Sequence, residues 1–184
     1  MVFRGRREER RERRAERRGG GGPVHYRMRQ RLVSIGDDYW IEDDEGRRVF
    51  KVDGKALRIR QTLIFEDARG TALLKIQERM LRVRDTMEIE DADGRTVATV
   101  KKALISPLRD RMSVSVEGGE DLDVRGNILD REYSVEAGRE KVAEVSKRWF
   151  RVADTYGVEI APGQNEVLLL AVTAVIDAMT HEGR

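Results

Sequence analysis

From Arg27 onward the chain alternates apolar and polar residues in short runs separated by turns rich in Asp and Gly. In Ala56–Glu66, for example, Leu57, Ile59, Leu63 and Phe65 are apolar, while Arg58, Arg60, Thr62 and Glu66 are polar. A period of two puts alternate side chains on one face, so this run predicts a half-buried strand. The same wording returns 24 residues later in Met80–Glu90 and once more in Trp149–Glu159. A second pattern keeps step with it. Ile41-Glu42-Asp43-Asp44-Glu45-Gly46 leads to Val49 and Val52, Phe65-Glu66-Asp67-Ala68-Arg69-Gly70 to Leu73 and Ile76, and Ile89-Glu90-Asp91-Ala92-Asp93-Gly94 to Val97 and Val100. Val135-Glu136-Ala137-Gly138, leading to Val142 and Val145, is a looser copy with a shorter turn. Each unit is a strand, an acidic turn closed by glycine and a return strand, which is a β-hairpin. Counting the runs gives about twelve strands between Arg27 and Ala161. A meander of that length curls, and closure removes its exposed edges, so the prediction is a mainly β fold, a closed antiparallel barrel.

The period changes after Pro162-Gly163. Gln164-Asn165-Glu166 can start a helix, with Asn a favoured N-cap, and eleven of the thirteen residues in Val167–Met179 are apolar. A helix without a polar face must be surrounded. This one is shorter than the roughly 20 apolar residues that span a bilayer. A barrel of about twelve strands is also too wide for its own side chains to fill. The helix is therefore predicted to run through the lumen as the core.

Charge separates one segment from the rest. The formal net charge is +2, but residues 1–18 carry nine Arg and four Glu, a net of +5, which leaves residues 19–184 at −3. Four glycines, Gly19 to Gly22, and Pro23 follow. With almost nothing apolar to bury, residues 1–23 are expected to be a disordered Arg/Glu-rich leader and Gly linker, and residues 24–184 the barrel domain. The leader has no apolar stretch for a secretory signal and too many glutamates for a mitochondrial presequence, so the expected location is cytoplasmic.

The absence of Cys excludes disulfides, thiolate metal sites and a thiol nucleophile. His25 and His181 are expected at exposed chain ends, although a barrel could bring them together. Neither a P-loop nor a dinucleotide-binding glycine pattern occurs, and Asp43-Asp44-Glu45 and Asp91-Ala92-Asp93-Gly94 lack the ligand spacing of a calcium loop. Trp40 and Trp149 read as packing residues, and Asp85 and Asp154, with Gln61 at the equivalent place, as repeated structural positions. The expectation is a non-enzymatic protein with no catalytic residue, metal or cofactor.

What remains is basic. Arg58, Arg60, Arg82, Arg84 and Arg151 fall on the polar parity of the repeated runs, expected roughly 10 Å apart on the barrel exterior, twice the interstrand spacing. Lys101, Lys102, Lys147 and Arg148 fall at nearby strand ends. Such a field can hold phosphate headgroups, because arginine presents a planar fork of donors. Glu66, Glu88, Glu90 and Glu159 share the parity, and the alternative is a solvated, charge-balanced face.

Several ordered segments carry a family resemblance: Tyr26-Arg27-Met28-Arg29-Gln30-Arg31-Leu32, Ile35-Gly36-Asp37-Asp38-Tyr39-Trp40-Ile41, Ala103-Leu104-Ile105-Ser106-Pro107-Leu108-Arg109-Asp110, Val145-Ser146-Lys147-Arg148-Trp149-Phe150 through Asp154-Thr155-Tyr156, and the closing helix. Over roughly residues 24–181 the chain resembles the LURP-one-related family, within the group of tubby C-terminal domains and phospholipid scramblases. The resemblance implies a twelve-stranded barrel around a C-terminal helix. It also implies a lipid-facing role, since tubby domains bind phosphoinositides and scramblases are membrane-associated. Scramblase activity does not carry over, because the long membrane-inserting segment and cysteine-rich region are missing. The leading expectation is a module that binds anionic phospholipid at the membrane surface through Arg58, Arg60, Arg82, Arg84, Arg151, Lys147 and Arg148, assisted by the leader. The alternatives are a protein-interaction or scaffold module without lipid function, and nucleic-acid association through the Arg-rich tail.

Overall fold

The computed structural model describes residues 22–29, 39–57, 60–78, 86–102, 111–150 and 155–181. Its strands are β1 (Val24–Arg29), β2 (Tyr39–Asp43), β3 (Arg48–Leu57), β4 (Arg60–Asp67), β5 (Ala72–Glu78) and β6 (Thr86–Asp91). They continue as β7 (Thr96–Lys102), β8 (Arg111–Val116), β9 (Leu122–Asn127), β10 (Glu132–Ala137), β11 (Glu140–Ser146) and β12 (Thr155–Ile160), followed by a helix, α1 (Glu166–His181). Each strand pairs antiparallel with its sequence neighbours, and β1 pairs with β12 from Val24↔Ile160 to Arg29↔Thr155, closing the barrel. Among the described residues, the twelve strands, the closure and the C-terminal helix are those the sequence predicted.

The repeated acidic turns explain the regularity. Asp43 Oδ1 accepts from the backbone N–H of Glu45 at 2.9 Å and of Arg47 at 3.0 Å. Asp67 does the same with Arg69 and Thr71, and Asp91 with Asp93 and Arg95. Gly46, Gly70 and Gly94 then take φ of 75°, 82° and 79°, the left-handed region glycine enters without a Cβ clash. A type I turn followed by such a glycine is a standard three-residue hairpin connection. Each hairpin also carries a register shift at one place, Ile41/Glu42, Phe65/Glu66 and Ile89/Glu90, repeated at Val135/Glu136. The acidic turns are thus hairpin caps.

One reading of the sequence changes. The alternating run Ala56–Glu66 is not a single strand: β3 ends at Leu57, which pairs with Arg60, the first residue of β4. The period of two runs on across the change of strand between Leu57 and Arg60, where no Gly, Asn or Asp marks it.

Inside the wall, Met28, Ile41, Val52, Phe65, Ile76 and Ile89 are buried, as are their counterparts on later strands. They pack against α1, which is capped as expected: Asn165 Oδ1 accepts from Leu168 N–H at 3.1 Å, satisfying one of the helix's open donors. Leu169 through Ala178 are all buried, so every face of the helix meets protein. Because β12 runs towards Ile160 before the chain turns into α1, the helix enters at the end holding the acidic turns. That end is called near, and the end where α1 finishes far.

Candidate functional site

No His/Cys/Asp/Glu cluster among the described residues is arranged to hold a metal ion, and no described helix is long and apolar enough to cross a membrane. Both ends carry charge of both signs: near-end turns pair Arg47 with Asp43 and Arg95 with Asp91 and Asp93, and the far end holds Asp130 and Glu132 among its cations. At the near end stand Asp43, Asp67 and Asp91 and the β8–β9 turn with Glu117, Glu120 and Asp121. At the far end stand Lys101 and Lys102 closing β7, Arg111 opening β8, and Lys147 and Arg148 just after β11.

Register builds a cationic corner there. On the outward face of β7, β8 and β9, Lys101 pairs with Ser113, and Arg111 lies directly opposite Arg125. Directly opposed side chains have Cβ atoms about 5 Å apart, and like charges so placed are destabilising. Arg125 is partly neutralised by Asp123 at 2.8 Å and Glu136 at 3.3 Å. Lys101, Lys102 and Arg111 are exposed and form no ion pair with any described residue. Asp123 and Glu136 thus offset part of the Arg111–Arg125 repulsion within the wall itself.

Two strands further round, the β11–β12 connection is clasped by Glu132, the first residue of β10. Its carboxylate accepts from Ser146 Oγ at 3.0 Å and from Lys147 N–H at 3.1 Å, and it lies 3.6 Å from Arg148 Nε. Arg148 remains 83% exposed, so this pair holds the backbone more than it neutralises the cation.

Of the arginines expected to form the field, Arg58, Arg82, Arg84 and Arg151 lie outside the described residues, as do Asp85 and Asp154. Arg60 opens β4 at the far end, opposite Leu57, and Gln61 pairs with Ala56. Lys147 and Arg148 are at the far end, with Lys101 and Lys102 as further members. Arg111 and Arg125 were missed. Arg111 stands on the polar parity of Arg111–Val116, but only the register shows which strand faces it.

The two tryptophans pack, as expected. Trp40 lies under the Arg48 guanidinium at 5.2 Å. Trp149 and Phe150 cover Gly157 on the outside of β12, leaving no room for a side chain: a Cβ there would sit 2.5 Å from the indole and 2.9 Å from the phenyl ring. The Trp149 ring meets His25 edge-on at 6.2 Å, and Arg27 stands 4.8 Å over Phe150, so this strap ties β12 to β1. His25 Nε2 lies 2.8 Å from Glu159 across the same seam. His25 is thus built into the near half of the wall, while α1 ends at His181 at the far end, and the barrel keeps the two apart.

Beneath the far end lies an ion pair the sequence did not reveal. Arg131, at φ 55° in the β9–β10 turn, sends its Nε to Asp177 of α1 at 2.9 Å, with the side chains only 1% and 2% exposed. Tyr156 donates its hydroxyl to the other Asp177 oxygen at 2.7 Å, and its ring lies 5.3 Å from the guanidinium. Tyr133 is sealed in the same core, and burial, then the negative charge of Asp177, pushes its phenol well above the ordinary range. The pair is closed to solvent, so it fastens helix to wall and offers no site for a substrate.

A model of the LURP-one-related family matches residues 24–177. Among solved structures, the X-ray structure of a protein from Arabidopsis thaliana is similar at 19% identity. The match covers 85% of this chain and 90% of that one, with a TM-score of 0.64, and at that identity the likeness is one of fold. No curated protein matches.

Proposed function

The chain belongs to the LURP-one-related family, and from that premise we propose that it is a non-enzymatic binding module whose far end engages anionic phospholipid headgroups at a membrane surface. The observation that carries this reading is the Arg111–Arg125 pairing beside Lys101 and Lys102, with Lys147 and Arg148 on the same rim. Arg125 shares its charge with Asp123 and Glu136, while Arg111 opposite it is exposed, and a phosphate oxygen can accept from both guanidinium groups. Basic residues near an anionic leaflet contribute about 1 kcal/mol each, so six cations supply a gross attraction of roughly 6 kcal/mol, before Glu132, Asp123 and Glu136 offset part of it. The protein would then be cytoplasmic and peripheral at the membrane.

The Arg/Glu-rich leader joins the barrel through Val24, at the near end, so a contact made by the rim does not require it. Co-sedimentation with neutral and anionic vesicles across a salt series, on the full chain and on a chain beginning at Val24, tests the reading. Both should bind anionic vesicles, with affinity falling as salt rises. Arg111→Gln and Arg148→Gln should each weaken binding by roughly fivefold, the equivalent of about 1 kcal/mol. Binding by the full chain alone would assign the attraction to the leader and make duplex DNA an equal ligand. No binding at low salt would sink the lipid reading and turn attention to protein partners.

A further inference from the structure

The β9–β10 turn, Ile128–Arg131, rises between the two halves of the cationic rim. Arg111 and Arg125 lie on its β8–β9 side, Lys147 and Arg148 on its β11 side. The arc from β8 to β11 spans three interstrand spacings, about 14 Å. At its middle Leu129 is 53% exposed, and Leu129 and Trp149 are the exposed large hydrophobic residues among those described. A lone exposed leucine is ordinary. This one is held out by its neighbours: Ile128 is buried in the barrel, and Arg131 is tied below to Asp177. Asn127 Oδ1 accepts from Asp130 N–H at 3.1 Å and its amide donates to the Asp130 carboxylate at 2.6 Å, closing the turn from the side. The backbone that carries the leucine is therefore anchored on both sides.

We propose that Leu129 is a membrane-inserting tip: with Arg111, Arg125, Lys147 and Arg148 on headgroup phosphates, its side chain enters the acyl boundary of an anionic bilayer. The inference rests on the lipid reading above and adds the depth and the point of contact. Electrostatic attraction brings the rim to the surface, and apolar burial then adds a contribution that salt does not screen. The carboxylate of Asp130, engaged by the Asn127 amide, stays at headgroup level. A rigid tip loses little conformational freedom on insertion, so even one leucine contributes.

The test uses the full chain and vesicles containing phosphatidylserine. Leu129→Ser should lower vesicle affinity by roughly three- to tenfold, about half the transfer of a leucine side chain out of water. The loss should persist at high salt. In a Leu129→Trp variant the emission should shift to the blue on vesicle binding and be quenched by brominated acyl chains, in excess of the quenching that Trp40 and Trp149 give in the unsubstituted protein. Free glycerophosphoserine should leave the emission unchanged, which separates a bilayer from a soluble headgroup. Tight binding by Leu129→Ser, or an indole at 129 that brominated lipid does not quench, would overturn the insertion while leaving the lipid reading intact. Failure of the unsubstituted protein to bind any of these vesicles would overturn both.

Discussion

Removing the Asp177 carboxylate measures what the buried ion pair does for the barrel. Asp177→Ala leaves the Arg131 guanidinium, 1% exposed, without its carboxylate partner and takes the acceptor from the Tyr156 hydroxyl. Breaking one partner of a buried pair costs about 3–5 kcal/mol, because the remaining charge is stranded in a medium that solvates it poorly. In a domain of this size 1 kcal/mol moves Tm by roughly 2–4 °C, so the expected fall is about 6–20 °C. Replacing both partners by apolar residues, as in Arg131→Met with Asp177→Leu, removes the desolvation cost together with the attraction. That double variant still takes the Asp177 acceptor from the Tyr156 hydroxyl, so it should lose about 1–3 kcal/mol, less than Asp177→Ala loses. Urea unfolding followed by far-ultraviolet circular dichroism on Arg131→Met, Asp177→Leu and the double variant gives the coupling free energy directly. A single-variant cost below about 1 kcal/mol, or single costs that simply add in the double, would refute the claim that this contact fastens helix to wall.

Three further outcomes follow from the geometry. Gly126→Ala places a Cβ 2.5 Å from the Glu132 carbonyl oxygen and 2.7 Å from Tyr133 Cα, both backbone, so it should unfold at markedly lower urea than Gly46→Ala, which meets open space and bears only the left-handed penalty of about 1–2 kcal/mol. Gly157→Ala should drive Trp149 and Phe150 off β12, seen as a red-shifted tryptophan emission; an unchanged spectrum would contradict the strap. The Thr71 N–H bond, with the Arg69 N–H and against some desolvation, holds the Asp67 carboxyl below its usual value, and the Arg95 N–H does so for Asp91. Both carboxylates therefore stabilise the fold above the unfolded carboxylate pKa near 4 and lose that contribution as pH falls through their lower folded values. Asp67→Asn should accordingly flatten the stability profile on the acid side and leave it unchanged in shape near neutrality.

The fold was legible because its devices are local and repeated. Asp43, Asp67 and Asp91 each stand three residues before a glycine, and Val167–Met179 has no polar face, so turns, strand count and a surrounded helix could be read without a partner in view. Places where no local residue marks the change were harder. Alternation passes through Leu57 and Arg60 with no turn residue between, and the run reads as one strand. Asp177 could be recognised as a polar residue in an apolar helix, but its partner lies 46 positions earlier in a turn whose wording, Leu129-Asp130-Arg131, reads as solvent-facing. Arg111 and Arg125 needed the register itself, since a face shared across strands is a property of pairing and not of either strand. Arg58, Arg82, Arg84 and Arg151 fall outside the described residues, and the rim now rests on Lys101, Lys102, Arg111, Arg125, Lys147 and Arg148.

The filling of the barrel is encoded after its wall. During synthesis the ribosome delivers all twelve strands before Glu166–His181 follows, and β1 must wait for β12 to pair at the seam. Any sheet formed before then would have an apolar concave side and two open edges, the kind of surface that chaperones bind and that neighbouring chains can pair with. A stop codon just ahead of the helix would therefore not yield a slightly shortened protein. It would leave the entire wall with nothing to close around, and such a product should be degraded or aggregate.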